Sequence, residues 1–389
     1  MSPGVRAGLL FACFVLILPV AGCWNYREIR DLGIVVGAAF DKEGEQIHLT
    51  VELMSTKTGE KAEGGGSLGI RPQLFESSGK TVFEAVRNMI AKSGKKLYWS
   101  HAKAFIVSEE MARDGMIQIT DWINRDAEVR SQTWVLVTRG ERAADIFKTK
   151  SKLFDTVSMQ LEETLRRYGN SGKLLSTTVG DFVEDMEAPG IGATIPFVQT
   201  AENAGDKVPQ IGGTALFRGE RLVGYLDAEE TRSLLFIRDR MNRGSLIAVS
   251  TERPKTEVSL EIYRSKTKRA LHVEGNRPVI ELTVEPLADI AEISTEKDVI
   301  DLEKKEELTE KANKQLAREL QKTIREVQEK YQTDVFGFGQ MIHHRRPDLW
   351  EAIEQTGWER VFPDLEVQTI VDFRLKGSAL LSEPTKVGE

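Results

Sequence analysis

Two cysteines and five histidines leave this 389-residue chain with few reactive side chains. Cys13 lies inside an apolar run and Cys23 closes it, so the sequence after residue 23 holds no thiol and no disulfide. That excludes cysteine catalysis, thiolate metal sites and dithiol redox chemistry from the body of the protein. His48, His101, His272, His343 and His344 show no ligand spacing, and neighbours such as His343 and His344 point in different directions on a helix, so all five are expected in surface roles. Aromatic residues make up 7% of the chain and the six tryptophans are scattered, which gives no sugar-stacking platform. Gly64-Gly65-Gly66 stand among charges, and the nearest lysine, Lys61, precedes them. A phosphate loop needs a strand before it, a fixed lysine and a helix start; these glycines read as a loop. Positive charge is short too: the net charge of −7 argues against nucleic acid as the main partner and against tight electrostatic attachment of the whole chain to anionic lipid.

What is present begins at the N-terminus. Arg6 is followed by an apolar run over 7–21, and Leu18-Pro19-Val20-Ala21-Gly22-Cys23 ends it. A charged residue, an apolar stretch and small residues at a cleavage point form a secretory signal. The cysteine makes it a lipobox, with Val20 where Leu would be the stronger occupant. The run is shorter than the ~20 residues a spanning helix needs, and Pro19 lies inside it. Cys23 is therefore the expected lipidation site. Two acyl chains of a diacylglycerol suffice for stable anchoring where one is marginal. Removal of residues 1–22 takes Arg6 with it and shifts the net charge to −8. The remaining 367 residues are enough for two or three domains whose cores need no cross-links.

Along the chain, strand and helix periods alternate. Residues 33–40 are continuously apolar, and 47–53 alternate apolar with polar, which together predict a hairpin over 33–54. Residues 55–79 read as loop. Thr81 with Glu84 opens a helix as a capping box, closing near Ser93-Gly94. A strand is expected over 97–107, two helical pieces over 109–124 divided at Gly115, and a strand over 133–138. The cluster Arg125-Asp126-Ala127-Glu128-Val129-Arg130 between them reads as an ion-pair network at a helix-to-strand corner. Helices are expected over 143–147, 158–168 and 179–186. Residues 188–210, with Pro189, Pro196 and Pro209, read as the exit from the first domain.

A hairpin over 213–226 and a helix capped by Asp227 follow, then a strand over 245–250 and a meander of three strands over 256–265, 269–274 and 278–285. Leu308, Ala312, Leu316, Leu320, Ile324, Val327 and Tyr331 form one apolar stripe on a long helix within 300–331. Their spacing lacks the alternation of a coiled coil, so the helix is expected to pack on a sheet. A helix over 347–355, a strand over 366–375 and a disordered tail complete the chain.

Several motifs in this order carry a family resemblance. They are Gly22-Cys23-Trp24-Asn25-Tyr26-Arg27-Glu28-Ile29 before a strand ending in Asp41, then Trp99-Ser100-His101-Ala102-Lys103, then the 125–130 cluster. Gly213-Thr214-Ala215-Leu216-Phe217, Gly224-Tyr225-Leu226-Asp227 with Glu230-Thr231, and Asp334 with Phe336-Gly337-Phe338-Gly339 complete the set. The chain resembles the C-subunit lipoproteins of spore germination receptors, the Ger(x)C family, over about 22–376; Asn25 departs from the usual Asp. The resemblance implies an α/β (α+β) fold of three domains, with mixed or antiparallel sheets packed with helices. The expected division is a signal peptide at 1–22, an N-terminal domain at 23–200, a middle domain at 201–255, a C-terminal domain with the long helix at 256–378 and a tail at 379–389.

It also implies a non-enzymatic subunit, lipid-anchored through Cys23 at the outer face of the spore inner membrane. Its implied partners are two integral-membrane subunits, the A-type and B-type germinant receptor subunits, in a complex that answers nutrients. No cofactor, metal ligand or catalytic residue is implied. Two other readings stay open: a membrane-anchored lipoprotein that binds a small ligand itself, and an envelope hydrolase using Glu128 or a neighbouring acid.

Overall fold

The apolar run at 33–40 is buried on both sides, and the reason is the sheet it belongs to. The computed structural model describes residues 3–5, 31–54, 72–167, 171–241, 243–252, 255–275, 277–293 and 302–378. Cys23, the apolar run at 7–21, Gly64-Gly65-Gly66 and the tail at 379–389 lie outside the described residues.

The first sheet holds β1 (Leu32–Glu43), β2 (Gln46–Met54), β3 (Pro72–Gly79), β4 (Lys96–Tyr98), β5 (Ala104–Val107), β6 (Trp134–Thr138), β7 (Thr194–Asn203), β8 (Asp206–Arg218) and β9 (Arg221–Leu226). Its order is β3-β2-β1-β5-β6-β7-β8-β9, with β4 also on β1. The central pairs β1/β5, β5/β6 and β6/β7 are parallel, and the flanking pairs are antiparallel. Parallel strands need helical crossovers, which cover both faces. On one face, Phe40, Phe105 and Val137 pack with α1 (Val82–Ser93), α2 (Glu109–Asp114), α3 (Ile117–Arg125) and α6 (Val179–Glu187). On the other, Ala39, Ile106 and Leu136 meet α4 (Ala143–Ile146) and α5 (Val157–Arg166).

The second sheet holds β10 (Ser245–Glu252), β11 (Lys255–Glu274), β12 (Arg277–Ile293), β13 (Glu366–Val371) and β14 (Arg374–Ser378). The last two both pair with β12 in parallel. Only one face is covered, by α8 (Leu302–Glu326) and its continuation as a π-helical turn, Val327–Tyr331. Every residue of the predicted stripe from Leu308 to Tyr331 is buried in that contact, so the long helix packs on a sheet as its period requires. The helix α7 (Ala228–Ile237), buried from Thr231 onward, links the two sheets, and α9 (Phe338–Arg345), α10 (Pro347–Thr356) and α11 (Trp358–Val361) close the C-terminal side.

Several local expectations are corrected. The strand expected over 97–107 is two strands, because Ala102 N–H bonds Trp99 C=O and turns the chain between them. Residues 72–79 are an edge strand; Pro72, Ser77, Ser78 and Gly79 hide its β character. The expected domain exit at 188–210 carries the β7–β8 hairpin, and the first sheet runs through it. Pro209 is tolerated opposite Thr200, whose N–H points out of the pair to Glu141 Oε1 at 2.6 Å. The two strands expected over 256–274 are one strand with bulges near 259 and 263, and the strand expected over 366–375 breaks where Asp372 N–H bonds Val284 C=O.

Candidate functional site

Three groups of residues organise the first sheet and its junction with the second. The first is a pair of acids inside the sheet. Asp41, at the end of β1, is 3% exposed and accepts from the N–H groups of Ala143 and Ala144 at 2.7 and 3.0 Å. Glu52, in β2, is 1% exposed and accepts from Val157 N–H, Ser158 N–H and Ser158 Oγ–H. Each carboxylate sits at the start of a helix, α4 or α5, where unpaired N–H groups and the helix dipole favour negative charge. Burial nonetheless pushes both carboxyls above the usual range, against those hydrogen bonds. Glu52 sits on the polar side of its strand's alternation, but that side is covered by α5 and not by water.

Beside Asp41 lies an open crevice of about 640 Å³ at the carboxyl ends of the parallel strands β1, β5 and β6. Acids predominate in its lining: Asp41, Glu43, Glu109, Glu110 and Glu141, against Lys42, Arg113 and Arg142. Glu109 is held by Arg113 and by Gly140 N–H, and Lys42 reaches Asp114.

The second group joins the two sheets. Asp334 is buried and accepts from the N–H groups of Phe336, Gly337 and Gly339 at 3.0, 2.9 and 2.7 Å. Burial still pushes its carboxyl up to about 6. Arg238, itself buried, donates to Val335 C=O at 2.6 Å and to Thr194 Oγ1 at 3.1 Å, with Asp185 at 3.6 Å; burial lowers it to about 10. Gly190 has φ of +71° and backs onto Gly339 so closely that a Cβ would lie 2.6 Å from the Gly339 carbonyl carbon. At Gly224 a Cβ would enter the Tyr331 ring. Thr214 and Thr231 share a hydrogen bond of 2.9 Å, and Asp227 with Glu230 forms a full capping box on α7. The motifs singled out at 213–231 and 334–339 thus meet at one junction and build it.

The third group is on the surface. Leu32, at the start of β1, pairs with Lys96. Lys96 Nζ meets Glu128 Oε1 at 2.7 Å, and Ser100 Oγ–H bonds Glu128 C=O at 3.0 Å. Thr133 Oγ–H bonds Ala102 C=O. The motifs at 99–103 and 125–130 therefore form one rim around the beginning of β1. The expected ion-pair corner exists, with partners from outside the cluster: Arg125 pairs with Asp121, and Glu128 with Lys96; beside it Lys103 pairs with Glu162. Trp99 is buried against Trp122, ring centroids 4.8 Å apart, and fixes the rim to the core. His101 is exposed beside the Tyr98 ring, whereas His343 is half-buried against Trp350. Glu128 Oε1 is engaged by Lys96, and no three acidic or imidazole groups gather around a metal-sized site among the described residues.

With this geometry in view, two family models match the chain. One, described as the spore germination protein N-terminal domain, covers residues 25–200; the other, described as spore germination B3/GerAC like, C-terminal, covers 212–379. The chain belongs to the Ger(x)C family. Among its curated relatives, the spore germination protein KC of Bacillus subtilis (strain 168) is 24% identical, with 97% of each chain covered. The spore germination protein B3 of the same strain is 24% identical over 93% of this chain and 95% of its own. In fold, the chain is similar to the crystal structure of the GerBC protein, with a TM-score of 0.59, 20% identity, and coverage of 88% of this chain and 97% of that one.

The Ger(x)C match begins two residues after Cys23. Of the motifs carrying the resemblance, those at 213–231 and 334–339 are spent on the junction, and those at 99–103 and 125–130 on the rim. Sequence reasoning missed the caps at Asp41 and Glu52. An acid closing an apolar strand was the visible signal for Asp41; nothing in the sequence linked Glu52 to a helix more than 100 residues away.

Proposed function

We propose that this chain is the lipid-anchored, non-enzymatic C subunit of a germinant receptor. Diacylglyceryl-Cys23 holds it at the outer face of the spore inner membrane, beside the integral A-type and B-type subunits, and the complex triggers germination in response to nutrients. One observation carries the reading: a lipobox ends at Cys23, and the family match starts at residue 25 and continues to 379. No helix among the described residues is long and apolar enough to cross a membrane; attachment is assigned to the lipid from the lipobox at Cys23. Replacing Cys23 with Ala moves the protein from the membrane fraction to the soluble fraction and impairs nutrient-triggered germination. Unchanged membrane retention overturns the anchoring.

The crevice beside Asp41 supports a second reading, a lipoprotein that binds a small ligand itself. Crevices at the carboxyl ends of parallel strands are common ligand sites in α/β proteins. Calorimetry of the purified chain with amino acids and sugars tests it, and absence of heat counts against it.

A further inference from the structure

The rim at the start of β1 differs in charge from the rest of the molecule. Segments 92–103 and 125–130 hold six cations, Lys92, Lys95, Lys96, Lys103, Arg125 and Arg130, against two acids, Asp126 and Glu128; Asp121 and Glu162, paired with Arg125 and Lys103, bring the acids at the rim to four, in a chain of net charge −7. Lys92, Lys96, Arg125 and Arg130 are exposed. The hydrogen bonds between Lys96, Ser100, Ala102, Glu128 and Thr133 hold both segments together around Leu32. The other end of β1 is the acid-lined crevice at Asp41 and Glu43. One strand, about 36 Å long at 3.3 Å per residue, therefore separates a basic end from an acidic end.

The chain leading into β1 is short. Eight residues lie between Cys23 and Leu32, so a fully extended connection spans at most about 32 Å. Arg27 and Arg30 balance Glu28 and Asp31 within it, so the connection adds no net charge of its own.

We infer that the rim at 92–103 and 125–130 docks on an anionic lipid surface, holding the basic end of the first sheet against the headgroups and the acid-lined crevice away from them. The inference rests on the anchoring through Cys23. Membrane fields from anionic lipid decay within a Debye length, about 8 Å at physiological salt, so only the end of the strand turned toward the membrane feels them. Cations that close to an anionic leaflet each favour contact about five-fold, and acids at the far end oppose the inverted pose. The overall negative charge, which argues against electrostatic attachment of the whole chain, is compatible with attachment by one end.

The test uses the full lipidated chain, extracted from membranes and reconstituted in vesicles of phosphatidylcholine alone or with three-tenths phosphatidylglycerol. Flotation reports the anchor; acetylation by a membrane-impermeant reagent, read by mass spectrometry, reports the pose. With anionic vesicles, Lys92 and Lys96 are expected to be modified about five-fold less than with neutral ones, while Lys311 and Lys314 on α8 are unchanged. High salt removes the protection. The K92E/R130E variant still floats, but its Lys96 is modified equally on both vesicles. Equal modification of Lys92 and Lys96 in wild type, with flotation intact, overturns the docking and leaves the anchor standing. Loss of flotation overturns the anchor and the pose together. Protection seen only in native membranes, and absent on anionic vesicles, assigns the rim to a protein partner and overturns the lipid proposal.

Discussion

The two sheets solve the same burial problem in different ways. The first is covered on both faces, so its central strands β1, β5 and β6 read as apolar runs, and the acids Asp41 and Glu52 survive inside it only as caps for α4 and α5. The second is covered on one face, so β12 alternates along its length, with Leu282 and Val284 inward and Glu281, Thr283 and Glu285 outward. Charge in the first sheet is fixed by partners far away in sequence. Charge in the second is mostly solvated, as in the pair Lys268–Glu285. Between them lies a junction where Asp334 and Arg238 are both buried, so its stability depends on polar groups with little access to water.

That contrast is broken most severely at the junction. Asp334→Ala leaves three buried N–H groups unpaired and removes one of the two carboxylates near Arg238, the other being Asp185, and is expected to cost about 3–5 kcal/mol in denaturant unfolding. A loss under about 1 kcal/mol contradicts the picture of a junction held by a buried carboxylate. The caps come next. Glu52→Ala removes the acceptor at the start of α5 and is expected to cost about 2 kcal/mol, whereas Glu281→Ala on the open face of the second sheet changes stability by less than about 0.5 kcal/mol. Equal effects at the two sites erase the distinction between the sheets.

The smallest expected effect is on pH dependence. Asp41, Glu52 and Asp185 titrate above their usual range because burial disfavours the charged form; Asp334 is pushed up to about 6 and Glu230 to about 7. In the unfolded chain carboxylates lose their protons near pH 4. Between about pH 4 and 7 the folded state therefore binds more protons than the unfolded state, and stability falls as pH rises through that window. The expected outcome is a melting temperature a few degrees lower at pH 7.5 than at pH 5, reduced in Asp334→Asn. A melting temperature that rises over this interval contradicts it.

Legibility in the sequence followed the same physics. The stripe from Leu308 to Tyr331 and the Asp227 cap are local patterns, and each is present as read; of the Thr81–Glu84 capping box only half forms, with Thr81 Oγ1 accepting from Glu84 N–H while the Glu84 carboxylate accepts from Lys80 N–H. β3 and the β7–β8 hairpin were hidden by Pro, Ser and Gly in positions where an edge or an outward N–H tolerates them. The roles of Asp41, Glu52 and Asp334 were hidden because their partners come from long-range packing. The rim was legible as two separate motifs; the bonds of Ser100 and Lys96 to Glu128 bring them together, and the pairing of Leu32 with Lys96 sets them at the start of β1.

Everything proposed for function hangs on Cys23. The most direct measurement is the mass of the N-terminal fragment of the protein isolated from its own membranes. The account predicts a chain that begins at Cys23 and carries a diacylglycerol on its thiol. A chain that begins at Met1, or that bears an unmodified Cys23, contradicts it.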